Sequence, residues 1–588
     1  MSNIFYAYQT KVNELLGAMA ANGDLPQGLD LSRVKVEPPK EAAHGDMATN
    51  AAMVLSKAAG KNPRQLGETL AAKMKAMPDI KEVSVAGPGF VNFRLADNAW
   101  ADMVRTILTE GVHYGDSKMG KGEKVNIEYV SANPTGPMHA GHVRGAVIGD
   151  TLANLLKKAG YDVTKEYYFN DAGNQIEVLT QTAYLRYREA LGENIGAIPE
   201  GLYPGEYMKD VAQALVARDG KKWLGVAESV WSKPVREFAV EYIMGMIRDD
   251  LDLIGIHHDV FSNERVMIED GTLEKSFNTL MDKGLIYQGT LPPPKGKEME
   301  GWEPVELTLF RSSNFGDASD RPLKKRDGTW AYIMPDIAYH YNKLQRGFKW
   351  MINVLGKDHQ GYEEKIRPAI AALAGDKKDI RLNVVYCGMV KLFKNGEPVK
   401  LSKRSGNIIT LRELVEEVGA GSVRFFMITR TPDSELDFDF TKVVEQSKDN
   451  PVFYVQYAHA RCCSVLRNAK EMFKDIDISP AALAKADVSR INNPAELQLI
   501  RFMAGWPRQV ESAAEAHEPH RVAFYLHDLA SEFHAFWNKG RDDTTLRFLQ
   551  ENDRDLSLAR LALVEAVKTV LASGLAVMGV TPVEEMHG

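Results

Sequence analysis

Apolar and polar residues repeat with different periods in different parts of the chain. Ile4 to Ala20 repeats its apolar residues with a helical period, whereas Val83 to Leu95 alternates them as strands do, around a central turn. Between them, Gly45 to Asn50 is suited to cap a helix, and Pro63 suits the first turn of another. These patterns predict a small α+β domain over residues 1–112.

The middle of the chain alternates buried strands with helices. Val125 to Val130 is an apolar, β-branched run that predicts a buried strand, and Val163 to Phe169 predicts the next strand. The segments that follow them, Val143 to Ala159 and Asn174 to Arg188, have helical spacing. This order predicts a parallel, doubly wound sheet of the Rossmann type. We therefore expect a multidomain α/β protein whose central domain covers residues 113–385.

The carboxyl-terminal part of the chain is predicted to be helical. Asn450 and Pro451 are a favourable pair for the first turn of a helix. Further helices are predicted over Leu497–Ala514, Arg521–Trp537 and Leu556–Val577. Pro507 should kink or split the first of these. We expect an all-α domain over residues 450–588, joined to the sheet by a connecting region over residues 386–449.

Composition excludes several classes of protein. Hydrophobic residues are 44% and charged residues 26% of the 588, as in an ordinary soluble globular protein, and no apolar run is long enough for a membrane span. Met1 to Leu16 lacks the pattern of a secretory signal, so we expect a cytoplasmic protein. Cys387, Cys462 and Cys463 form no Cys-x-x-Cys pair, which argues against bound zinc. The net charge of −7 gives no global sign of nucleic-acid binding, although a local basic patch still allows it.

The most informative stretch follows the first strand of the central domain. Residues 131–137, Ser-Ala-Asn-Pro-Thr-Gly-Pro, form a loop that neither a strand nor a helix tolerates. His139 and His142 then share one face at the start of a helix, beside free N–H groups and the positive end of the helix dipole, where phosphate binds. Gly141 leaves room for a flat ligand. A bare pair like this is more often structural, but the strand and loop favour a functional interpretation.

Two other loops carry glycine or positive charge. Gly115 to Gly122 nearly matches a phosphate-binding loop, but Gly122 replaces the Ser/Thr that binds Mg²⁺ and the loop precedes a strand, so we interpret it as a linker. Lys400-Leu401-Ser402-Lys403 follows a strand-like run and a turn at Asn395-Gly396. A flexible loop with two cations can close over a triphosphate, although a basic loop is usually only solvated surface.

Residues 291–300, rich in proline and charge, are predicted to be a surface insertion.

The two motifs together resemble the signatures of class I aminoacyl-tRNA synthetases, His-x-Gly-His and Lys-Met-Ser-Lys-Ser. The rest of the chain resembles the arginyl-tRNA synthetases of bacterial type, through Gly87 to Asn92, Asn170 to Gln175 and Phe453 to Arg461. The second motif departs from the pattern, with Leu401 in place of Met and Arg404 in place of the last Ser. The resemblance implies that the amino-terminal domain contacts the tRNA elbow and that the helical domain binds the anticodon.

The resemblance also implies a role for each matching residue. It implies that His139 and His142 stabilise charge on the α-phosphate of ATP, and that Lys400 and Lys403 do so on the leaving pyrophosphate. The implied ATP contacts are Ala132, Asn133, Pro134, Thr135, Gly136, Pro137, Met138, His139, Ala140, Gly141, His142, Gly356, Asp358, His359, Lys400, Leu401, Ser402 and Lys403. The implied arginine contacts are Glu128, Asn133, Tyr332, Asp336 and Gln360. The implied tRNA contacts are Tyr454, Tyr457, His459 and Arg461.

The implied contacts make chemical sense, although the residues alone leave simpler alternatives open. Tyr332 and Asp336 stand four residues apart, so a helical turn would point both at one pocket, where a carboxylate and an aromatic ring suit a guanidinium. The alternative is a helix cap beside a core tyrosine. Glu128 would hold the substrate ammonium and Asn133 its carboxylate. The aromatic residues after Pro451 suit either the core of a helical domain or the stacking of unpaired bases.

We therefore expect an arginine–tRNA ligase that works as a monomer. Its substrates would be L-arginine, ATP with Mg²⁺, and tRNA(Arg), with no membrane partner and no zinc. Two alternatives remain open: another class I synthetase or nucleotidyl transferase with a different amino-acid pocket, and a tRNA-binding protein without catalysis. An NAD-dependent Rossmann enzyme is disfavoured because no Gly-x-Gly-x-x-Gly follows a strand.

Overall fold

The structure is a computed structural model, and it describes residues 3–291, 305–375, 379–399 and 409–586. The amino-terminal domain comprises α1 (Ile4–Ala21), β1 (Val36–Glu37), β2 (Met47–Thr49), α2 (Ala51–Ala59), α3 (Pro63–Met74), β3 (Ile80–Ala86) and β4 (Phe90–Leu95). Its four strands form an antiparallel sheet in the order β1-β2-β4-β3. The predicted α+β domain is therefore present.

The helix starts of this domain follow the predicted chemistry with one correction. Asn62 caps α3 by accepting the N–H of Arg64 at 2.9 Å, and Pro63 occupies the first turn. The stretch Gly45 to Asn50 was expected to cap α2 as a whole, but its centre forms strand β2. Only Asn50 precedes α2, and its side chain accepts from Lys35 instead of capping the helix.

The next helix, α4 (Asp97–Glu110), packs against the carboxyl-terminal helices. Arg105 donates to the carbonyl of Ala486 at 3.1 Å, across this interface. The connection that follows is the glycine-rich loop at 115–122, and it lies against the end of another helix: Ser117 N–H donates to Lys158 O at 2.8 Å. The loop opens no helix and is a packed connection, as predicted.

The central domain comprises β5 (Lys124–Glu128), α5 (Ala140–Lys158), β6 (Asp162–Phe169), α6 (Asn174–Ala190), α7 (Tyr207–Asp219), α8 (Glu228–Leu253), β7 (Val260–Asn263), α9 (Glu264–Glu269), α10 (Thr272–Asp282), β8 (Ile286–Gly289), β9 (Leu307–Phe310), β10 (Arg321–Pro322), α11 (Ile333–Gln345), β11 (Trp350–Gly356), α12 (Tyr362–Ala374) and β12 (Arg381–Cys387). Five strands form a parallel sheet in the order β12-β11-β5-β6-β7. The chain goes from β5 to β6 on one side and returns to β11 on the other. The crevice at the carboxyl ends of β5 and β11 is therefore the switch point where such sheets bind ligands.

A small antiparallel sheet, β10-β9-β8, is inserted between α10 and α11. Of the predicted insertion at 291–300, all but residue 291 lies outside the described residues. The connecting region contains β13 (Val390–Lys394), β14 (Glu397–Pro398), α13 (Leu411–Val418), α14 (Ala420–Met427), β15 (Leu436–Asp439) and α15 (Phe440–Val443). The predicted turn joins β13 to β14, with Asn395 and Gly396 both at positive φ, 55° and 80°.

The helical domain comprises α16 (Pro451–Met472), α17 (Pro480–Leu483), α18 (Pro494–Ala504), α19 (Trp506–Ala516), α20 (His520–Asp542) and α21 (Arg554–Val577). Pro507 splits the predicted 497–514 helix into α18 and α19, and it occupies the first turn of α19, where its missing N–H does no harm. None of the helices in the described ranges combines the length and apolarity of a membrane span.

Candidate active site

The chain leaves β5 through two residues in the left-handed region. Val130 has φ 70° and Ser131 has φ 44°, and a β-branched residue rarely adopts such a conformation. Tyrosines from two other elements hold the loop that follows, because Tyr167 donates to Ala132 O at 2.8 Å and Tyr207 donates to Thr135 O at 2.7 Å. Strain of this kind is characteristic of functional sites. The predicted ATP loop is thus shaped by the surrounding fold.

The two histidines of the first motif lie together at the start of α5. His139 caps the helix, with Nδ1 accepting the N–H of Gly141 at 3.1 Å. The rings of His139 and His142 stack with their centroids 3.7 Å apart and an angle of 28° between planes. A Cβ on Gly141 would lie 3.0 Å from the His139 ring, so this glycine makes room for the histidine itself. The predicted common face of the two imidazoles is present.

Acidic side chains surround the start of α11. Asp336 lies in the first turn of this helix, and burial, together with the negative charges of Glu128 and Glu264, raises its pKa to about 7. Glu264 accepts the Tyr168 hydroxyl at 2.6 Å, and burial raises the pKa of this carboxyl as well. Tyr332 precedes α11 at the N-cap position, makes no capping hydrogen bond and is 88% exposed. Asp336 and Glu264 form no ion pair with a lysine or arginine among the described residues, and the Tyr332 ring lies beside them in this acidic pocket.

The third acid of this pocket already has a cation of its own. Glu128 is buried at the end of β5, and its Oε2 accepts Lys343 Nζ at 2.9 Å. The other carboxylate oxygen accepts the Ser131 hydroxyl at 3.0 Å. Lys343 is fully buried and also donates to Asn353 Oδ1 at 3.4 Å. Glu128 therefore enters the site as part of an ion pair, and only its remaining acceptor capacity is open to a ligand ammonium.

A neutral histidine holds α11 against the sheet. His340 Nδ1 donates to Asp336 O at 2.8 Å, which leaves Nε2 to accept the Asn353 amide at 3.1 Å. Burial, with the nearby Lys343 charge, lowers the pKa of His340 to about 3. Because the ring is neutral at neutral pH, it adds no positive charge to the acidic pocket. His340 therefore does not compensate the negative charge of the carboxylates.

The other predicted ligand contacts lie at neighbouring strand ends. Asn133 is exposed and its amide donates to Gln175 Oε1 at 3.0 Å, which joins the first loop to α6. The residues from Gly356 to Gln360 leave the end of β11, adjacent to β5, and Asp358, His359 and Gln360 are exposed. The sheet therefore brings the predicted ATP and arginine contacts of β5, β11 and α11 to one crevice.

The second motif, Lys400-Leu401-Ser402-Lys403, lies outside the described residues. The chain that follows it is bound directly to the first motif. Ala140 N–H donates to Ile409 O at 3.1 Å, and Leu411 N–H donates to Met138 O at 2.9 Å. The segment that carries the two lysines therefore ends beside the stacked histidines.

The predicted tRNA contacts lie on α16, and three of them are partly exposed. Arg461 donates to the Tyr457 hydroxyl at 2.9 Å, and its guanidinium lies 4.2 Å from the centroid of that ring and 4.9 Å from Trp537. Tyr454 packs against His534 with centroids 4.6 Å apart. Half-buried aromatic rings beside an arginine are a suitable platform for unpaired bases.

The structure corrects the expectation for His459. This side chain is 5% exposed, and its Nδ1 donates to Val583 O at 2.8 Å. Burial lowers its pKa. His459 therefore packs the carboxyl-terminal tail onto α16 and presents no ring for stacking. At helical spacing, one aromatic in the 453–461 run had to face the core, and periodicity alone did not identify which.

Two acidic residues escaped the sequence analysis. Glu264 follows β7, which has only four residues and gave no recognisable strand pattern. Asp250 lies on α8, where its carboxylate accepts the N–H of Met138 at 3.1 Å. A polar residue after a strand end is the available signal for Glu264, but β7 is too short to show the alternation that would identify it as a strand. Nothing in the sequence pairs Asp250 with the first motif.

Comparisons with known proteins agree with this geometry. Three family models match: an arginyl tRNA synthetase N-terminal domain over 7–95, a class I (R) tRNA synthetase catalytic domain over 103–431, and a DALR anticodon-binding domain over 455–586. The matched catalytic domain, together with the first motif at the carboxyl end of β5, defines a class I aminoacyl-tRNA synthetase. The anticodon-binding match also agrees with the predicted all-α domain.

Relatives of known name cover the full length of the chain. The arginine–tRNA ligase of Parvibaculum lavamentivorans is 56% identical over 585 residues, and that of Rhizobium rhizogenes is 53% identical over 587, each covering 100% of both chains. The Thermus thermophilus arginyl-tRNA synthetase superposes with a TM-score of 0.70 at 20% identity, over 98% of this chain and 100% of that one. The chain belongs to the arginyl-tRNA synthetase family. The predicted class of enzyme, an arginine–tRNA ligase, and the predicted fold are confirmed.

Proposed function

We propose that the crevice above β5 and β11 forms arginyl-adenylate from arginine and ATP and then passes the arginyl group to the 3′-terminal ribose of tRNA(Arg). The observation that carries this proposal is the acidic pocket at the start of α11. Burial, with smaller contributions from the charges of Glu128 and Glu264, raises the pKa of Asp336 to about 7, so the pocket favours a ligand that brings positive charge. A guanidinium supplies that charge and five N–H donors in a planar fork.

Asp336 and Glu264 are the carboxylates that we assign to the guanidinium. Lys343 balances Glu128, whereas no lysine or arginine ion pair involves Asp336 or Glu264 among the described residues. Tyr332, exposed beside Asp336, covers the guanidinium with its ring or hydroxyl. The main-chain groups of arginine then lie toward Glu128, Asn133 and Gln360.

ATP occupies the strand-end loops and the start of α5. The N–H groups of Met138, Ala140 and Gly141 already donate within the protein, so the free N–H groups expected at this helix start are not present. The start of α5 therefore contributes the positive end of its dipole, and His139 and His142 face the α-phosphate. Gly356, Asp358 and His359 lie at the adjacent strand end, within reach of the ribose. Lys400 and Lys403 neutralise the β- and γ-phosphates, and Mg²⁺ arrives as part of the ATP substrate.

The reaction needs no protein nucleophile. A carboxylate oxygen of arginine attacks the α-phosphorus, the bond to the bridging oxygen breaks, and pyrophosphate leaves with the electron pair. In the second step a terminal ribose hydroxyl of tRNA attacks the carbonyl carbon of the adenylate, and AMP leaves. The chain contributes positioning and electrostatic stabilisation of the phosphoryl charge.

The tRNA binds along the helical domain, with unpaired bases on Tyr454, Tyr457 and Arg461. The amino-terminal domain contacts the tRNA elbow. We place the enzyme in the cytoplasm as a monomer, in line with its family, and light scattering of the purified chain tests the oligomeric state.

The test is ATP–pyrophosphate exchange with each of the twenty amino acids, with and without total tRNA. Exchange with arginine alone supports the proposal. Exchange with another amino acid would keep the class I chemistry and overturn the pocket assignment. No exchange under any condition would leave a tRNA-binding protein without catalysis.

Asp336→Asn tests the pocket itself. Loss of a buried charge partner costs about 2–5 kcal/mol, so the KM for arginine should rise about 30-fold or more while the KM for ATP stays within about twofold. Asp282→Asn, an exposed aspartate on α10, is the matched control and should leave both constants unchanged. An unchanged KM for arginine in Asp336→Asn would remove Asp336 from the site.

A further inference from the structure

A buried aspartate that belongs to neither motif contacts the backbone of the first motif and a residue that follows the second motif. Asp250 lies on α8 and is 4% exposed. Its Oδ2 accepts the N–H of Met138 at 3.1 Å, and its Oδ1 accepts Arg412 Nη2 at 3.3 Å. Met138 directly precedes His139, and Arg412 lies in the first turn of α13.

The same junction is held by backbone bonds. Met138 O accepts the N–H of Leu411 at 2.9 Å, and Ile409 O accepts the N–H of Ala140 at 3.1 Å. Thr410, between them, caps α13 in a reciprocal pair with Glu413. The backbone of Met138 therefore uses its carbonyl for α13 and its N–H for Asp250.

Through Asp250, helix α8 is joined both to the backbone of Met138 and to the side chain of Arg412. A buried N–H without an acceptor is strongly disfavoured, so the Met138 amide needs this carboxylate or a substitute. Arg412 is half-exposed, so its charge is also stabilised by water. Its bond to Asp250 therefore orients α13 relative to α8 more than it stabilises the fold. Burial raises the pKa of Asp250, and the bonds from Met138 and Arg412 oppose that rise.

We propose that Asp250 is a positioning residue for arginine activation, which fixes the stacked histidines relative to the chain that leaves the 400–408 segment. The inference rests on the proposed function, because it assigns the ATP chemistry to His139, His142 and that segment. Substitution of Asp250 should therefore change kcat and the KM for ATP. The KM for arginine should stay nearly unchanged, because Asp336 and Glu264 of the arginine pocket lie on α11 and α9.

The first experiment measures pyrophosphate exchange for Asp250→Ala and Asp250→Asn. The alanine variant loses both bonds and should lower kcat about 10- to 100-fold with a higher KM for ATP, since a small misplacement near the reacting atoms has effects of that order. The asparagine variant keeps an acceptor oxygen for Met138 and should recover part of the loss. The KM for arginine should stay within about twofold in both.

Asp249→Asn is the matched control, because Asp249 is the preceding residue of the same helix and is exposed. It should leave kcat and both KM values unchanged. His139→Ala is the reference for the proposed function. If His139→Ala exchanges like the wild type, the proposed function is at fault; if it is inactive while Asp250→Ala is normal, the positioning role alone is overturned.

The second experiment is a double-mutant cycle with Arg412→Gln, which alters an exposed end of the pair and serves if Asp250→Ala does not fold. Arg412→Gln and Asp250→Asn should each lower kcat, and together they should lower it by less than the product of the single effects. Independent effects would exclude the Asp250–Arg412 link. A fall in melting temperature with unchanged kinetic constants would reduce Asp250 to a purely structural residue.

Discussion

Asp336 is held where its negative charge is disfavoured until a cation arrives. The surrounding groups include Glu128 and Glu264, and the buried Lys343 pairs with Glu128. His340, which could have added a charge from the same helix, is kept neutral by burial. Under the proposed assignment, the ionisation state of Asp336 controls how strongly the pocket attracts a guanidinium.

Arginine binding should therefore depend on pH in a definite direction. The pKa of Asp336 is about 7 in the empty pocket, and the guanidinium binds its ionised form. The KM for arginine should fall about tenfold per pH unit as the pH rises toward 7 and level off above it. Exchange kinetics from pH 6 to 8.5 measure this, and Asp336→Asn should flatten the profile. A wild-type KM that does not change with pH would contradict the assignment.

The same carboxyl links arginine to stability. Its pKa is raised on folding from 3.8 to about 7, so the folded chain binds more protons, and the free energy of unfolding of the arginine-free protein falls as pH rises through that window. Bound arginine favours the charged form and removes this loss. Saturating arginine should raise the melting temperature more at pH 8 than at pH 6. Equal shifts at both pH values would separate Asp336 from the ligand.

At the level of elements, the end of α21 is joined to the catalytic helix α5 by one buried arginine. Arg424 donates to Met578 O at 2.6 Å, to Ile254 O at 2.8 Å and to Asp150 Oδ2 at 2.5 Å. Asp150 lies on α5. A Cβ on Gly579 would overlap the guanidinium, so any larger residue here requires Arg424 or the backbone to shift.

Gly579→Ala should lower the free energy of unfolding by more than the strain of its positive φ angle alone would cost. Gly255 has the same φ of +66° and nothing within 4 Å of an added Cβ, so Gly255→Ala measures the angle alone, about 1 kcal/mol. Gly579→Ala adds the overlap with Arg424, whose guanidinium makes three buried hydrogen bonds that a shift would disturb, and should cost about 3 kcal/mol or more. Melting temperatures of the two variants compare them. Equal falls would mean that the α21 end can move away from Arg424.

Long periodic segments made most of the elements predictable. The strands β5 and β6 and the helices α5, α6, α20 and α21 carry clear patterns, and Pro507 was a reliable break. The short strands β7 to β10 were missed because two to four residues are too few to show a period. The same gap hid Glu264, which begins α9. Pairings between distant segments, such as Glu128 with Lys343, depend on the packed fold and leave no local signal.

At the level of the whole molecule, Trp506 connects the parts that must act together. It is fully buried, and its Nε1 donates to Tyr114 O at 3.2 Å and to Ser573 Oγ at 3.1 Å. Tyr114 lies on the connection that enters the central sheet, and Ser573 lies on α21. The sheet and the helical domain therefore share one core, so a ligand on α16 binds to a body continuous with the active site.

Arg461 and His459, two residues apart on α16, allow the proposed tRNA contact and the packing of the helix to be tested separately. Arg461→Gln should raise the KM for tRNA without changing the KM for arginine. Because one phosphate contact is lost, the slope of log KM for tRNA against log salt concentration should fall by about one. His459→Gln should instead lower the melting temperature, because the Val583 contact of the tail is lost, and leave the KM for tRNA unchanged. Aminoacylation kinetics at two salt concentrations, with thermal melting of each variant, distinguish them. If His459→Gln impaired tRNA binding at unchanged stability, the buried ring would have to leave the core when tRNA binds, and α16 would be a moving element instead of a fixed platform.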